Sequence, residues 1–198
     1  MTANAEEFEL KDRLNLIESM IAEGRRTTES WGSIFVWGTA FYVAFTWFAL
    51  GHTPWAWPIT MIVTYALTRI INARRRGGLP RTAMQRAIGS IWKAMAISML
   101  ILFPAIGFSG KMVDPSILMA IVATMLGVSN AASSLALKWK LQFGCALVWW
   151  TAAAIACFGS VTQSMIAFLI ANFFCQILFG AYGIICEIRQ SKKADSYA

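Results

Sequence analysis

Between Arg69 and Arg86 the chain carries Arg69, Arg74, Arg75, Arg76, Arg81 and Arg86 and no acidic side chain. On both sides the sequence turns into apolar blocks long enough to cross a bilayer. A loop holding six guanidinium groups stays on the cytoplasmic face, because moving that charge through hydrocarbon is expensive. The run therefore predicts a polytopic helical membrane protein and fixes which way it points. Composition agrees: of 198 residues, 58% are hydrophobic and 14% charged, and the mean hydropathy is +0.57, outside what a soluble domain needs to cover its surface. A formal net charge of +7 would point to nucleic acid in a soluble protein. Here the basic residues lie in loops between apolar spans, so they orient the chain in membrane lipid and no nucleic-acid partner is expected.

Six spans are predicted, at about Trp31 to Leu50, Trp55 to Ile71, Ala87 to Phe108, Ser116 to Leu137, Phe143 to Phe158 and Val161 to Cys186. Each is near the length of about 20 residues that crosses a hydrocarbon layer of about 30 Å, the second and fifth being short. With this division the N-terminal segment, the arginine loop, Lys138 with Lys140, and the C-terminal tail all face one way. Only Lys111 faces the other. Such one-sidedness implies an even number of spans with both termini cytoplasmic in a bacterial-type inner membrane. Tryptophans give a parallel signal: Trp31, Trp92 and Trp139 fall at cytoplasmic ends and Trp47, Trp55 and Trp57 at outer ends, where indole prefers the interface. Arg69 and Lys93 lie within a turn or two of cytoplasmic ends and read as snorkelling anchors. Three segments result: a cytoplasmic 1–30, a membrane domain 31–187 and a short tail 188–198.

Residues 1–30 carry Glu6, Glu7, Glu9, Asp12, Glu18, Glu23 and Glu29, so a cleavable signal is not expected. Leu10, Leu14, Ile17 and Ile21 recur at helical spacing, Asn4 and Glu7 have capping-box spacing, and Gly24 stands where a helix would stop. This predicts an amphipathic cytoplasmic helix whose apolar stripe docks on something. Its polar face is acidic, which favours a protein partner or a second copy over anionic lipid.

Within the spans, small residues recur every fourth position at Ser90, Ala94 and Ser98; Ala123, Gly127 and Ala131; and Ala152, Ala156 and Ser160. Such stripes let helix backbones approach closely. Two polar groups stand out, Ser129, Asn130, Ser133 and Ser134 in the fourth span and Asn172 with Gln176 in the sixth. Interhelical hydrogen bonding accounts for them, with Asn172 and Gln176 meeting Asn130 or Ser133 across the bundle; a polar path for a small neutral solute is the alternative. The deeper Trp37, Trp149 and Trp150 read as packing, and Pro104 as a kink in the third span.

No catalytic set is evident. Glu187, at the inner end of the last span, is the one acidic residue in any span, and the lone histidine, His52, lies in an outer loop without a second ligand. Cys145, Cys157, Cys175 and Cys186 have neither zinc-finger nor redox-pair spacing and resemble buried small hydrophobes. Cys145 and Cys186 both fall toward the cytoplasmic, reducing side, which disfavours a structural disulfide. No phosphate-binding glycine loop occurs. Neither cofactor nor metal is expected.

Gly32-Ser33-Ile34, Gly89-Ser90-Ile91 and Gly144-Cys145-Ala146 each open an odd-numbered span, and Val36 to Ala40 resembles Val148 to Ala152. Three helical hairpins would produce this, and chance matching in apolar sequence explains it better. The sequence thus predicts an all-α bundle of six transmembrane helices preceded by an amphipathic helix. Its expected role is a non-enzymatic scaffold or regulatory subunit, contacting a partner through the N-terminal helix and the arginine loop. A small channel or carrier for a neutral solute is the competing reading.

Overall fold

The computed structural model describes residues 11–13, 15–16, 31–51, 56–76, 83–109 and 114–195. Among these the chain is helical apart from short turns, with no strand. The helices are α1 (Trp31–Ala49), α2 (Ala56–Arg76), α3 (Ala83–Phe108), α4 (Pro115–Leu137), α5 (Lys140–Phe158) and α6 (Val161–Asn172), then a π-helical segment (Phe173–Leu178) and α7 (Phe179–Asp195). From α6 through α7 the helix is continuous.

Four stretches are long and apolar enough to cross a membrane: Arg86–Ile106, Pro115–Leu137, Lys140–Phe158 and Val161–Cys186. This is consistent with an integral membrane protein. The other two predicted spans are also helical. Ile34, Val36, Phe41, Val43 and Phe45 make α1 apolar along its 19 residues, with Trp31 at one end and Trp47 near the other. In α2 the apolar part is only Ile59–Ile71, yet the helix continues through Arg74, Arg75 and Arg76. Arginine is a good helix former, and the sequence offers no breaker before Gly77-Gly78. For the same reason α7 runs past Cys186 to Asp195. Pro104 sits within α3, exposed.

Local chemistry fixes several helix ends. Asp114 caps α4 by accepting from the Ser116 N–H at 2.8 Å, with Pro115 in the first turn, where a missing N–H costs nothing. At the other end Lys138 takes a left-handed conformation (φ 50°), and Trp139 N–H donates back to Ser134 O at 2.9 Å. That closure turns α4 into α5 in two residues and forces the two to lie side by side. Ser160 and Gln163 form a reciprocal capping box at the start of α6.

The helices make an open row rather than a closed ring. The α4–α5 pair has the most extended contact, and both lie against α6. On the other side α1 packs on α6, the π segment and α7. The outer positions belong to α2, against α1, and α3, against α4. The core lies at the α4–α5–α6 junction, around Ala123, Leu126, Trp149, Ala152, Phe168 and Ala171. Two of the small-residue stripes serve it, since Ala123, Gly127, Ala131, Ala152 and Ala156 are buried, and Trp150 lies over Gly127. The third does not. Ser90, Ala94 and Ser98 face outward on α3, and the two serines bond carbonyls of their own helix at 2.8 and 2.9 Å.

Residues 11–13 and 15–16 are helical and exposed, including Leu16. The predicted docking stripe of Leu10, Leu14, Ile17 and Ile21 lies outside the described residues, as do Arg81, His52 and Lys111.

Candidate functional site

A tightly constrained polar contact lies where α1 crosses the last span. Gly38 has no side chain, and the last span uses the space: a Cβ at Gly38 would strike the Cβ of Gln176 and lie 3.1 and 3.2 Å from its backbone C and Cα. Farther along the same crossing Gly180 repeats the device from the opposite helix, where a Cβ would lie 2.9 Å from Phe35 N and 3.0 Å from its Cα. Glycine on each helix thus permits backbone-to-backbone approach at two points. At the same crossing Asn172 donates its Nδ2–H to Gly38 O at 3.0 Å, buried. In hydrocarbon an unmade bond of this kind is costly, so the contact fastens the crossing and sets its register.

The π segment lies just beyond Asn172 and holds Gln176 and Cys175. Its wide turn relaxes the helix where Gly38 presses against it; such segments recur at functional positions. Gln176 is half-buried with its Cβ against Gly38, while Cys175 is buried and donates its Sγ–H to Cys145 O on α5 at 3.5 Å.

The predicted fourth-span group behaves differently. Ser129 donates to Met125 O at 3.0 Å and Asn130 to Leu126 O at 2.9 Å, each four residues back in its own helix. Ser134 Oγ donates to Trp139 O at 2.8 Å and so braces the α4–α5 turn. Ser133 is fully buried, its hydroxyl without a hydrogen-bond partner among the described residues. The sequence predicts that Asn172 meets Asn130 or Ser133 across the bundle, and it does not; the structure pairs it with α1, which supplies a bare backbone carbonyl within reach, while Asn130 is already satisfied on α4. The two polar groups therefore do not form one cluster through the residues predicted to join them. Gln142, on α5, is a buried polar residue outside both predicted groups.

A groove of about 360 Å³ lies between α1 and the last span, lined by Tyr42, Ile166, Leu169, Ile170, Phe173 and Phe174. Its walls are apolar except for the tyrosine hydroxyl, and none of Ser129, Asn130, Ser133, Asn172 or Gln176 lines it. Of the arginines, Arg69 and Arg86 are exposed near the ends of α2 and α3.

The signals in the sequence for this crossing are Asn172 and the glycines Gly38 and Gly180; nothing in the sequence says which helices they bring together. No protein-family model, curated protein or solved structure matches this chain.

Proposed function

We propose that the chain is a non-enzymatic scaffold or regulatory subunit of a bacterial-type inner membrane, built of six spans with both termini cytoplasmic. The observation that carries this reading is the Asn172–Gly38 crossing. The buried amide of the last span is committed to fastening two helices, where a solute path would leave it free to exchange partners. The local bonds of Ser129, Asn130 and Ser134 support the same view. The partner is engaged from the cytoplasmic side, by the acidic N-terminal segment and the basic run from Arg69 to Arg86, whose opposite charges orient the contact while apolar burial supplies its strength.

Three experiments test this. Replacing Asn172 and Gln176 with Leu together is expected to lower bundle stability by about 1 to 2 kcal/mol in detergent unfolding, the scale of interhelical bonds in membranes. Purified protein in liposomes should pass glycerol and urea no faster than empty vesicles. A flux above that level which the double replacement abolishes would replace the scaffold reading with a carrier. For topology, Gln85→Cys and Ser191→Cys, each made with the native cysteines replaced, should react with an impermeant maleimide only after cells are opened. Labelling of either in intact cells contradicts the orientation.

A further inference from the structure

We propose that Cys145 and Cys175 are an oxidisable pair whose reversible disulfide locks α5 to the π segment of the last span, a modification site beyond the scaffold reading and independent of it. The two residues lie thirty positions apart on neighbouring helices, and the Cys175 Sγ–H points at the carbonyl of Cys145 itself, 3.5 Å away. The Cys175 thiol therefore lies against Cys145 itself, which puts both cysteines at one helix junction, the neighbourhood in which a disulfide forms. Both are buried, with 8% and 3% of their surface exposed. Cys157, on α5, is exposed and Cys186, on α7, partly so; they serve as internal contrasts.

Burial also selects the oxidant. Water-soluble peroxides and glutathione have little access to this junction, whereas a lipid-soluble two-electron acceptor of the quinone class shares its phase. Each thiol gives up its proton, one S–S bond forms, and two electrons with the two protons pass to the quinone, which leaves as hydroquinone. Reduction by a dithiol restores both thiols.

The consequence lies in the π segment, where Cys175 stands between Asn172 and Gly180. A covalent tie to α5 holds that turn in place and, through it, the crossing with α1. Oxidation therefore converts a crossing held by one buried hydrogen bond and two glycine contacts into one anchored to the α4–α5 hairpin.

The test uses the full chain in membrane vesicles with Cys157→Ser and Cys186→Ser, exposed to decylubiquinone, a fully substituted quinone that cannot add to thiols. After acid quenching and denaturation, a maleimide-polyethylene glycol reagent counts free thiols. The expected result is two adducts before oxidation, none after it, two again after phosphine reduction, and no band at dimer size. Peptide mapping of the wild-type chain should show a Cys145–Cys175 linkage and needs no substitution. Full labelling after quinone and also after molecular iodine would overturn the proposal. So would a cross-linked dimer, or protection of Cys175 that persists in Cys145→Ala.

Discussion

Gly38→Ala is expected to separate α1 from the last span and to lower the stability of the bundle by about 1 to 3 kcal/mol, the range for overpacking a well-packed contact. Intrinsic propensity pulls the other way, because alanine is favoured over glycine inside a helix by about 1 kcal/mol. The clash wins because part of what the new methyl meets is backbone: Gln176 C and Cα, at 3.1 and 3.2 Å, cannot swing aside as a flexible side chain would. Retreat of the helices would also lengthen the Asn172–Gly38 bond, which is worth on the order of 0.6 to 1.7 kcal/mol in membrane bundles. Gly89 and Gly144 provide the contrast, since a Cβ on either meets nothing within 4 Å. Alanine at those positions should be neutral or stabilising by up to about 1 kcal/mol. Detergent-titration midpoints for the three variants decide the matter; if Gly38→Ala behaves as Gly89→Ala does, α1 does not cross the last span as described.

Trp149→Ala is expected to have the larger effect, about 3 to 5 kcal/mol by the scale of large-to-small core changes. Trp149 is fully buried and meets Phe168 edge-on at a ring separation of 5.2 Å, and Phe168 stacks on Phe45 at 5.0 Å. This chain of rings joins α5, α6 and α1. Surrounding lipid removes much of the hydrophobic term, so what is lost is dispersion contact and the filling of space, which the relaxed neighbours recover only in part. Trp149→Phe separates the indole N–H from the ring. The Nε1 atom has no hydrogen-bond partner among the described residues, so phenylalanine should cost much less than alanine. Equal losses for the two would show that the N–H, and not the volume, holds the site. Pairing Trp149→Ala with Phe45→Ala should give a loss that is not the sum of the two, because both act through Phe168.

The helical class and four of the six apolar blocks, those at Arg86–Ile106, Pro115–Leu137, Lys140–Phe158 and Val161–Cys186, could be read from the run of apolar residues between charged ones, because charge and hydrocarbon do not mix whatever the tertiary packing. The stripes at Ala123, Gly127 and Ala131 and at Ala152 and Ala156 likewise sit in helix contacts. Ser90, Ala94 and Ser98 follow the same rule and face outward, since spacing tells which residues share a face and not which neighbour that face meets. Asn172 shows the same limit. That its amide must find a partner follows from the cost of an unpaired amide in hydrocarbon, but its acceptor is a backbone carbonyl on another helix, and every residue carries one, as Asn130 shows by bonding within its own helix. The Cys145–Cys175 contact could not be found from spacing, because the two stand thirty positions apart on different helices with a turn between them. Nor does hydropathy announce the π segment, whose residues Phe173 to Leu178 are as apolar as their surroundings.

That segment changes how length is counted along the last span. Each residue of an α-helix turns the chain by about 100°, so losing one residue at most places would carry everything beyond it to a different side. A π turn is a place where one surplus residue has been absorbed while the helix beyond it keeps its facing. A chain shorter by one residue between Phe173 and Leu178 could close into ordinary α-helix and still present Asn172 to Gly38 and Gly180 to Phe35. The same loss between Val161 and Asn172 would turn Asn172 and Gly180 together relative to the start of α6. The span therefore has a single elastic joint in its numbering, and it coincides with the point where α1 and α5 both take hold.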